Sequence, residues 1–262
     1  MSSHHRARKR FGQHFLSDET ILMDMRQAIA PEKQDHMVEI GPGMGVLTRY
    51  LVAEVATFEA IEIDRDLIKL LQEEFGHYDH FVLHTMDVLQ TNWSQLANDL
   101  KLRVVGNLPY NISTPLIFSL FDAISVVHDM HFLLQKEVGE RLAAPVGAHG
   151  YGRLSVMSQY YCDTELLFYV DPDAFTPPPK VNSVFLRMTP KPAAQLTVKD
   201  TKLFEKVVAT AFNQRRKTLR NSLRPMLDEA GFEVLGIDLK KRAQDLTVDE
   251  YVRIANYLTQ LS

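Results

Sequence analysis

Apolar and polar positions follow two rhythms that take turns along the first two-thirds of the chain. Short, nearly continuous apolar runs, the pattern of strands covered on both faces, occur at His36–Ile40, Thr57–Ile61, His80–His84, Arg103–Gly106 and His128–Leu134. Between or after them the spacing becomes that of one-sided helices, at Val46–Ala53, Arg65–Phe75, Trp93–Leu100, Thr114–Phe121 and Glu137–Ala143. An earlier helix is capped by Ser17-Asp18-Glu19, carries Ile21, Leu22, Met25 and Ile29 on one face to about Ala30, and stops at Pro31. Tyr151–Tyr161 reads as a further helix, and Glu165–Val170 and Val181–Met188 as two late strands. Strands alternating with helices over short links predict an α/β fold: a doubly wound, mostly parallel, Rossmann-like sheet.

The pattern changes after Thr189-Pro190-Lys191-Pro192-Ala193-Ala194, which has the composition of a linker. Beyond it only helical spacing remains, over Lys202–Phe212, Arg215–Ala230 and about Val248–Leu261. The expected organisation is a basic N-terminal arm (1–16), a main α/β domain (17–189) and a small all-α domain (190–262).

Charge sharpens this division. The 262 residues sum to −4, yet residues 190–262 hold 13 basic against 9 acidic side chains, a net +4. Residues 1–10 add four basic groups and no acid, which leaves 11–189 at −12. Basic ends around an acidic middle point to a polyanion met by the ends and a cationic small ligand held in the middle. No apolar run reaches the roughly 18–20 residues of a membrane span, and no secretory signal is legible. The single cysteine, Cys162, excludes an internal disulfide and reads as a buried small hydrophobe. A cytoplasmic monomer is expected. His77, His80 and His84 have no organised second pair of ligands and read as ordinary loop and strand histidines, so no metal is expected.

Candidate chemistry gathers at the predicted strand ends. Val38-Glu39-Ile40-Gly41-Pro42-Gly43-Met44-Gly45 runs from a strand into a glycine turn with G-x-G-x-G spacing, not the G-x-G-x-x-G of a pyrophosphate site. Glu39 repels phosphate and favours an ammonium, although a plain nucleotide site remains the rival. Glu62 follows Gly41 by 21 residues, the offset of a ribose-binding acid. Asp87 follows the third strand, where a carboxylate accepts an adenine amino hydrogen while Met86 or Val88 packs on the ring. The implied ligand is an adenosine that bears an amino group and needs no phosphate cradle, a description S-adenosylmethionine meets. At the fourth strand's end, Asn107-Leu108-Pro109-Tyr110 offers acceptors for an exocyclic amine, a proline that removes a competing donor, and an aromatic face for a planar base.

With this tetrapeptide added, the chain resembles class I S-adenosylmethionine-dependent methyltransferases that act on base amines. Four blocks narrow the resemblance: Arg8-Lys9-Arg10-Phe11-Gly12-Gln13-His14-Phe15-Leu16, Asn111-Ile112-Ser113-Thr114-Pro115, Ala174-Phe175-Thr176-Pro177-Pro178-Pro179-Lys180-Val181-Asn182-Ser183, and the stretch from Ala211 to Leu223 around Asn213-Gln214-Arg215-Arg216-Lys217. Together they are similar to the KsgA (RsmA) family of small-subunit rRNA adenine N6-dimethyltransferases, from about residue 6 to the C-terminus. The resemblance implies cofactor contacts at His14, Leu16, Gly41, Glu62, Asp87 and Asn107, with His14 standing where many members carry Asn. It implies a base pocket of Asn107, Leu108, Pro109, Tyr110 and Phe175, and transfer of two methyls to each of two adjacent adenosines in small-subunit rRNA of a ribosomal particle, with a possible further role as a ribosome-assembly checkpoint.

For the RNA, six basic residues and no acid lie between Lys206 and Leu227. On a helix Arg216, Arg220 and Arg224 form one cationic stripe, flanked by Arg215 and Lys217, and Lys240-Lys241-Arg242 adds a second cluster. Two other readings compete. An Erm-type enzyme acting on large-subunit adenine shares the glycine loop and an Asn-x-Pro-Tyr motif, and a mainly non-catalytic assembly factor would share the whole pattern. The Asn213–Lys217 block and the Thr176–Pro179 run favour the small-subunit enzyme, and Glu62, Asp87 and Asn107 favour catalysis.

Overall fold

The computed structural model describes residues 14–109, 111–214 and 216–261. Among these residues nine strands form in chain order: β1 (Phe15–Leu16), β2 (His36–Ile40), β3 (Thr57–Glu62), β4 (Phe81–Thr85), β5 (Leu102–Asn107), β6 (Val127–Gln135), β7 (Cys162–Val170), β8 (Phe175–Thr176) and β9 (Ser183–Pro190). Seven build one sheet in the order β4-β3-β2-β5-β6-β9-β7, while β1 and β8 pair as a separate antiparallel ribbon. From β4 to β6 every pairing is parallel, and β9 runs antiparallel to β6.

The helices are α1 (Glu19–Ile29), α2 (Thr48–Leu51), α3 (Arg65–Phe75), α4 (Trp93–Ala97), α5 (Ser113–Asp122), α6 (Lys136–Ala143), α7 (Arg153–Tyr161), α8 (Thr201–Phe212), α9 (Leu219–Ser222), α10 (Glu229–Leu235) and α11 (Val248–Leu261). Local chemistry explains their ends. Asp18 accepts from the Thr20 and Ile21 amides at the start of α1, Asp64 from Asp66 at α3, and Asp200 from Leu203 at α8. All five residues of β2 are buried, as expected of a central parallel strand, whereas the edge strand β4 is largely open. The strand order reverses between β2 and β5, and in such sheets the ligand crevice lies at the strands' carboxyl ends beside that reversal. Among the described residues no helix is long and apolar enough to cross a membrane.

The chain divides into two compact units. One comprises residues up to Gly139 together with Glu165–Pro190, and the other Glu140–Thr164 with residues from Lys191 onward. Composition placed all of 17–189 in one domain, whereas α7 and the end of α6 group with the C-terminal helices.

Two expected helices are corrected. The helix over Val46–Ala53 shrinks to the single turn α2, followed by a 3₁₀ turn at Val52–Glu54. The long helix over Arg215–Ala230 does not form; α9 covers four residues and α10 starts at Glu229. Pro225 lies where that helix would pass and cannot donate its backbone bond. The backbone there is used elsewhere: Leu219 N–H donates to Lys241 (2.8 Å) and Arg220 N–H to Leu239 (3.1 Å). The i, i+4, i+8 stripe of Arg216, Arg220 and Arg224 therefore does not exist as one helical face.

Candidate active site

The turn after β2 is built on backbone conformations that L side chains avoid. Gly41, Gly43 and Gly45 have φ of 60°, 59° and 71°. A Cβ at Gly41 would have no other atom within 4 Å, so this stretch of backbone borders open space. Across the strand reversal, Gly106 matters for the opposite reason: a Cβ there would lie 2.7 Å from the Ile40 carbonyl oxygen. Its absence lets β5 pass close to the end of β2 and places Asn107 opposite the glycine turn. Between them opens a cavity of about 300 Å³.

Three carboxylates line this cavity. Glu62 is buried; its Oε1 accepts from the Ile63 and Asp64 amides (2.8 and 2.9 Å) and its Oε2, among the described residues, only from Gly43, at 3.3 Å. Burial raises the Glu62 pKa against those backbone donors. One oxygen is thus saturated and the other keeps capacity for a ligand hydroxyl. Glu39 is 2% exposed and accepts from the Thr48 hydroxyl at 2.6 Å. Burial, opposed by that bond and aided by the charge of Glu62, pushes its carboxyl up to about 7. Asp87 caps the 3₁₀ turn Val88–Gln90 through the Leu89 amide, at 3.0 Å.

The other wall joins segments far apart in sequence. Phe15 pairs with Thr176 and Leu16 with Phe175, and Ser17 N–H donates to Ala174 at 2.8 Å. The His14 ring donates from Nδ1 to the Pro177 carbonyl (2.8 Å), which fixes its tautomer. The Asn107 side-chain Nδ2 donates to the His14 carbonyl at 3.1 Å. No described residue donates to the Asn107 oxygen, nor to the Leu108 carbonyl. The strand-end amide thus holds the ribbon with one end and offers an acceptor with the other. Phe175 is 4% exposed and belongs to a buried apolar cluster with Leu16, Leu133, Val170 and Phe185, while also lining the cavity. It is core and cavity wall at once.

Of the residues expected at the site, His14, Leu16, Gly41, Glu62, Asp87, Asn107, Leu108, Pro109 and Phe175 all line this one cavity, whereas Tyr110 lies outside the described residues. A family model described as ribosomal RNA adenine dimethylase matches residues 4–260. The chain is 50% identical over 258 residues to the ribosomal RNA small subunit methyltransferase A of Pseudomonas aeruginosa, covering 98% of this chain and 96% of that one. It is 48% identical over 251 residues to the protein of the same name from Coxiella burnetii, covering 96% and 97%.

The chain belongs to the ribosomal RNA adenine dimethylase family.

This dimethylase is therefore an rRNA methyltransferase, as its motifs implied. In fold it is similar to a solved dimethyladenosine transferase from Plasmodium falciparum, with a TM-score of 0.77 at 24% identity over 92% of this chain and 96% of that one. The 23S rRNA methyltransferase ErmE gives 0.71 at 23% identity, over 94% and 100%. At that identity the likeness is one of fold.

Several cavity residues of the dimethylase escape sequence reasoning. Ile63 stands 51% exposed between two acids at the end of β3 and contributes apolar wall, and so do Phe15, Leu22, Met25 and Leu67. An apolar residue left open between two strand-end acids was the one usable signal. Leu22 and Met25 looked like ordinary core, which they also are.

The basic residues expected to meet RNA come together differently from the helical stripe. Thr218 bridges Arg242 in antiparallel fashion, and the Leu219 and Arg220 backbone bonds run 218–220 alongside 239–242, with Arg216, Lys217, Lys240 and Arg242 all exposed. Two clusters separated by more than twenty residues thus become one surface of the C-terminal unit. Arg220 is paired with Glu229 and Lys241 with Glu250, Arg224 is exposed, and Arg215 lies outside the described residues.

Proposed function

We propose that this dimethylase methylates N6 of two adjacent adenosines in small-subunit rRNA, twice each, with S-adenosylmethionine held in the cavity beside the glycine turn. One observation carries the reading: Gly41, Glu62, Asp87 and Asn107, from four separate strand ends, converge on one cavity. The small-subunit assignment rests on the names of relatives 48% and 50% identical over nearly their whole length.

The lining fits that cofactor. Three carboxylates and no lysine or arginine face the space among the described residues, which suits a cationic ligand with ribose hydroxyls and disfavours a phosphate. When bound, the cofactor supplies an electrophilic methyl group on a sulfonium. Glu62 Oε2 receives ribose hydroxyls, Asp87 accepts from the adenine amino group, and Ile63, Met86 and Val88 cover its ring. Glu39 supplies negative charge near the amino acid end.

On the substrate side, the target base leaves its stack to reach the strand ends. Its amine is a poor nucleophile because the lone pair is delocalised into the ring. The Asn107 oxygen and the Leu108 carbonyl each accept one amine hydrogen, which draws the nitrogen toward tetrahedral geometry and turns the lone pair out of the ring plane. Phe175 walls one side of the base, and the resemblance implies that Tyr110, outside the described residues, stacks on it as well. No strong general base is required: the methylated amine is acidic and water takes its proton. Arg216, Lys217, Lys240 and Arg242 contact phosphates and position the RNA without reading its sequence.

The test supplies methyl-labelled cofactor to undermethylated small subunits, large subunits and bare rRNA, and maps the modified base. Label on two neighbouring adenosines of small-subunit rRNA is expected. Label confined to large-subunit rRNA overturns the assignment.

A further inference from the structure

Beyond the base pocket, the carboxyl ends of β6 and β7 carry a feature the reaction as described does not use. Lys136, the first residue after β6, places its ammonium 5.2 Å from the centroid of the Tyr169 ring on β7. Tyr169 is 51% exposed although its neighbour Val170 is buried, so the strand's end presents an aromatic surface outward. Lys136 is itself anchored, since its backbone N–H donates to the Asn182 carbonyl at 2.9 Å and the Asn182 amide donates to Asp171 at 2.8 Å. Beside Asn182, Val181 is 45% exposed and Lys180 is exposed. The ring, its cation and the Lys180–Asn182 loop therefore form a held ledge on the catalytic rim.

Its place in the sheet gives it a direction. Asn107 ends β5, and β6, β9 and β7 follow in order away from the glycine turn. Three strand spacings, about 14 Å, separate the ends of β5 and β7. The ledge thus lies on the side of Asn107 away from the cofactor residues, where RNA flanking an extruded base must pass.

We propose that Tyr169, backed by Lys136, is a stacking platform for one unpaired nucleotide flanking the target adenosine. The proposal rests on the reading that RNA adenine is methylated at Asn107. A tyrosine face is sequence-tolerant, because every base has a π-face, and it holds a loop nucleotide without demanding its identity. The local charge limits the contact to one nucleotide. Glu137, Asp171 and Asp173 are exposed around the ledge and oppose a run of phosphates, while Lys136 and Lys180 can meet a single one. The platform steadies the strand after the target base has left its stack, so its contribution appears in RNA binding rather than in the methyl-transfer step.

The experiment uses the full chain and an RNA hairpin with two adjacent loop adenosines and 2-aminopurine at each flanking position in turn. Wild-type protein is expected to quench the probe at one flank. Tyr169→Ala should abolish that quench and raise the KM for RNA roughly tenfold, within the range of one lost base stack, with kcat at saturating RNA retained. Tyr169→Trp should keep both the quench and the KM. Lys136→Ala should raise the KM by a smaller factor. If Tyr169→Ala quenches and binds like wild type while wild type methylates the hairpin, the platform is wrong and the catalytic reading stands. If wild type transfers no methyl to adenine of the hairpin or of the small subunit, the catalytic reading fails and the platform fails with it.

Discussion

The Asn107 amide spends its nitrogen on the His14 carbonyl, 3.1 Å away, and its oxygen accepts from no described residue. Replacing Asn107 with Ala removes both contacts with unequal consequences. Turnover should fall at least about 100-fold, as for loss of one preorganised transition-state contact. Cofactor affinity should fall only several-fold, since one neutral hydrogen bond contributes about 1 kcal/mol. Single-turnover rates beside equilibrium cofactor binding separate the two, and a variant that dimethylates at the normal rate removes Asn107 from the chemistry. Glu39 carries the pH prediction. Its pKa rises from 4.5 to about 7 on folding, so the folded chain holds a proton that the unfolded chain releases. Its contribution to stability is therefore lost as pH climbs from about 4.5 through about 7. Above that, the buried carboxylate is ionised and favours a cationic ligand. In the cofactor-free protein Glu39→Gln should flatten the decline of the unfolding midpoint between about pH 5 and pH 8. It should also flatten the expected rise of cofactor affinity over that interval. Parallel profiles for the two proteins would refute the assignment. The acids were legible in the sequence because each sits within two residues of a strand end, where spacing is local. The tie between Asn107 and His14 was not, because nothing periodic links positions 93 residues apart.

Among the elements, α1 and the β1–β8 ribbon decide whether the cavity has walls. Leu22 and Met25 of α1 line it, and the helix ends on Arg103 of β5. The guanidinium donates to the Ile29 and Ala30 carbonyls at 2.5 and 3.0 Å, to Asp35 at 2.6 Å and to both oxygens of Asp129. A cation at the carboxyl end of a helix also meets its dipole favourably. With Arg103 and Asp129 side chains each 8% exposed, Arg103→Met leaves two carboxylates without their partner. The expected cost is about 3–5 kcal/mol, read as a lower urea midpoint with an unchanged slope. A loss under about 1 kcal/mol would show that the network does not anchor α1. Helix α1 was legible from its cap and its apolar face. The ribbon strands β1 and β8 were not: two residues are too short to show a period, and their partner lies some 160 positions away. Resemblance alone pointed to His14 and Leu16. The expected Arg215–Ala230 helix does not form because Pro225 has no backbone N–H to continue it, and because the backbone of Leu219 and Arg220 finds partners at Lys241 and Leu239.

At the scale of the whole molecule, a net charge of −4 conceals a basic C-terminal unit, and folding concentrates that charge further. The bridge between Thr218 and Arg242 makes one surface of two sequence clusters. Reversing Arg216 and Lys217 to Glu should weaken RNA binding for every sequence tested and lower the salt dependence by about one to two counterions. Methylation of a small hairpin at saturating concentration should suffer much less than that of a ribosomal particle. Unchanged affinity and an unchanged salt slope would take this surface out of the RNA interface. The sequence by itself determined the alternation of strands and helices, the glycine turn, the three strand-end acids and the uneven charge. Each of these is written within a few residues of itself, through backbone preference, capping or spacing. Only the tertiary structure decided that four strand ends share one cavity, that the arm carrying His14 closes on Phe175, and that 218–220 runs alongside 239–242. Those outcomes depend on strand order and on backbone groups finding partners across long loops, where the pairing energy is set by what the rest of the chain has already buried.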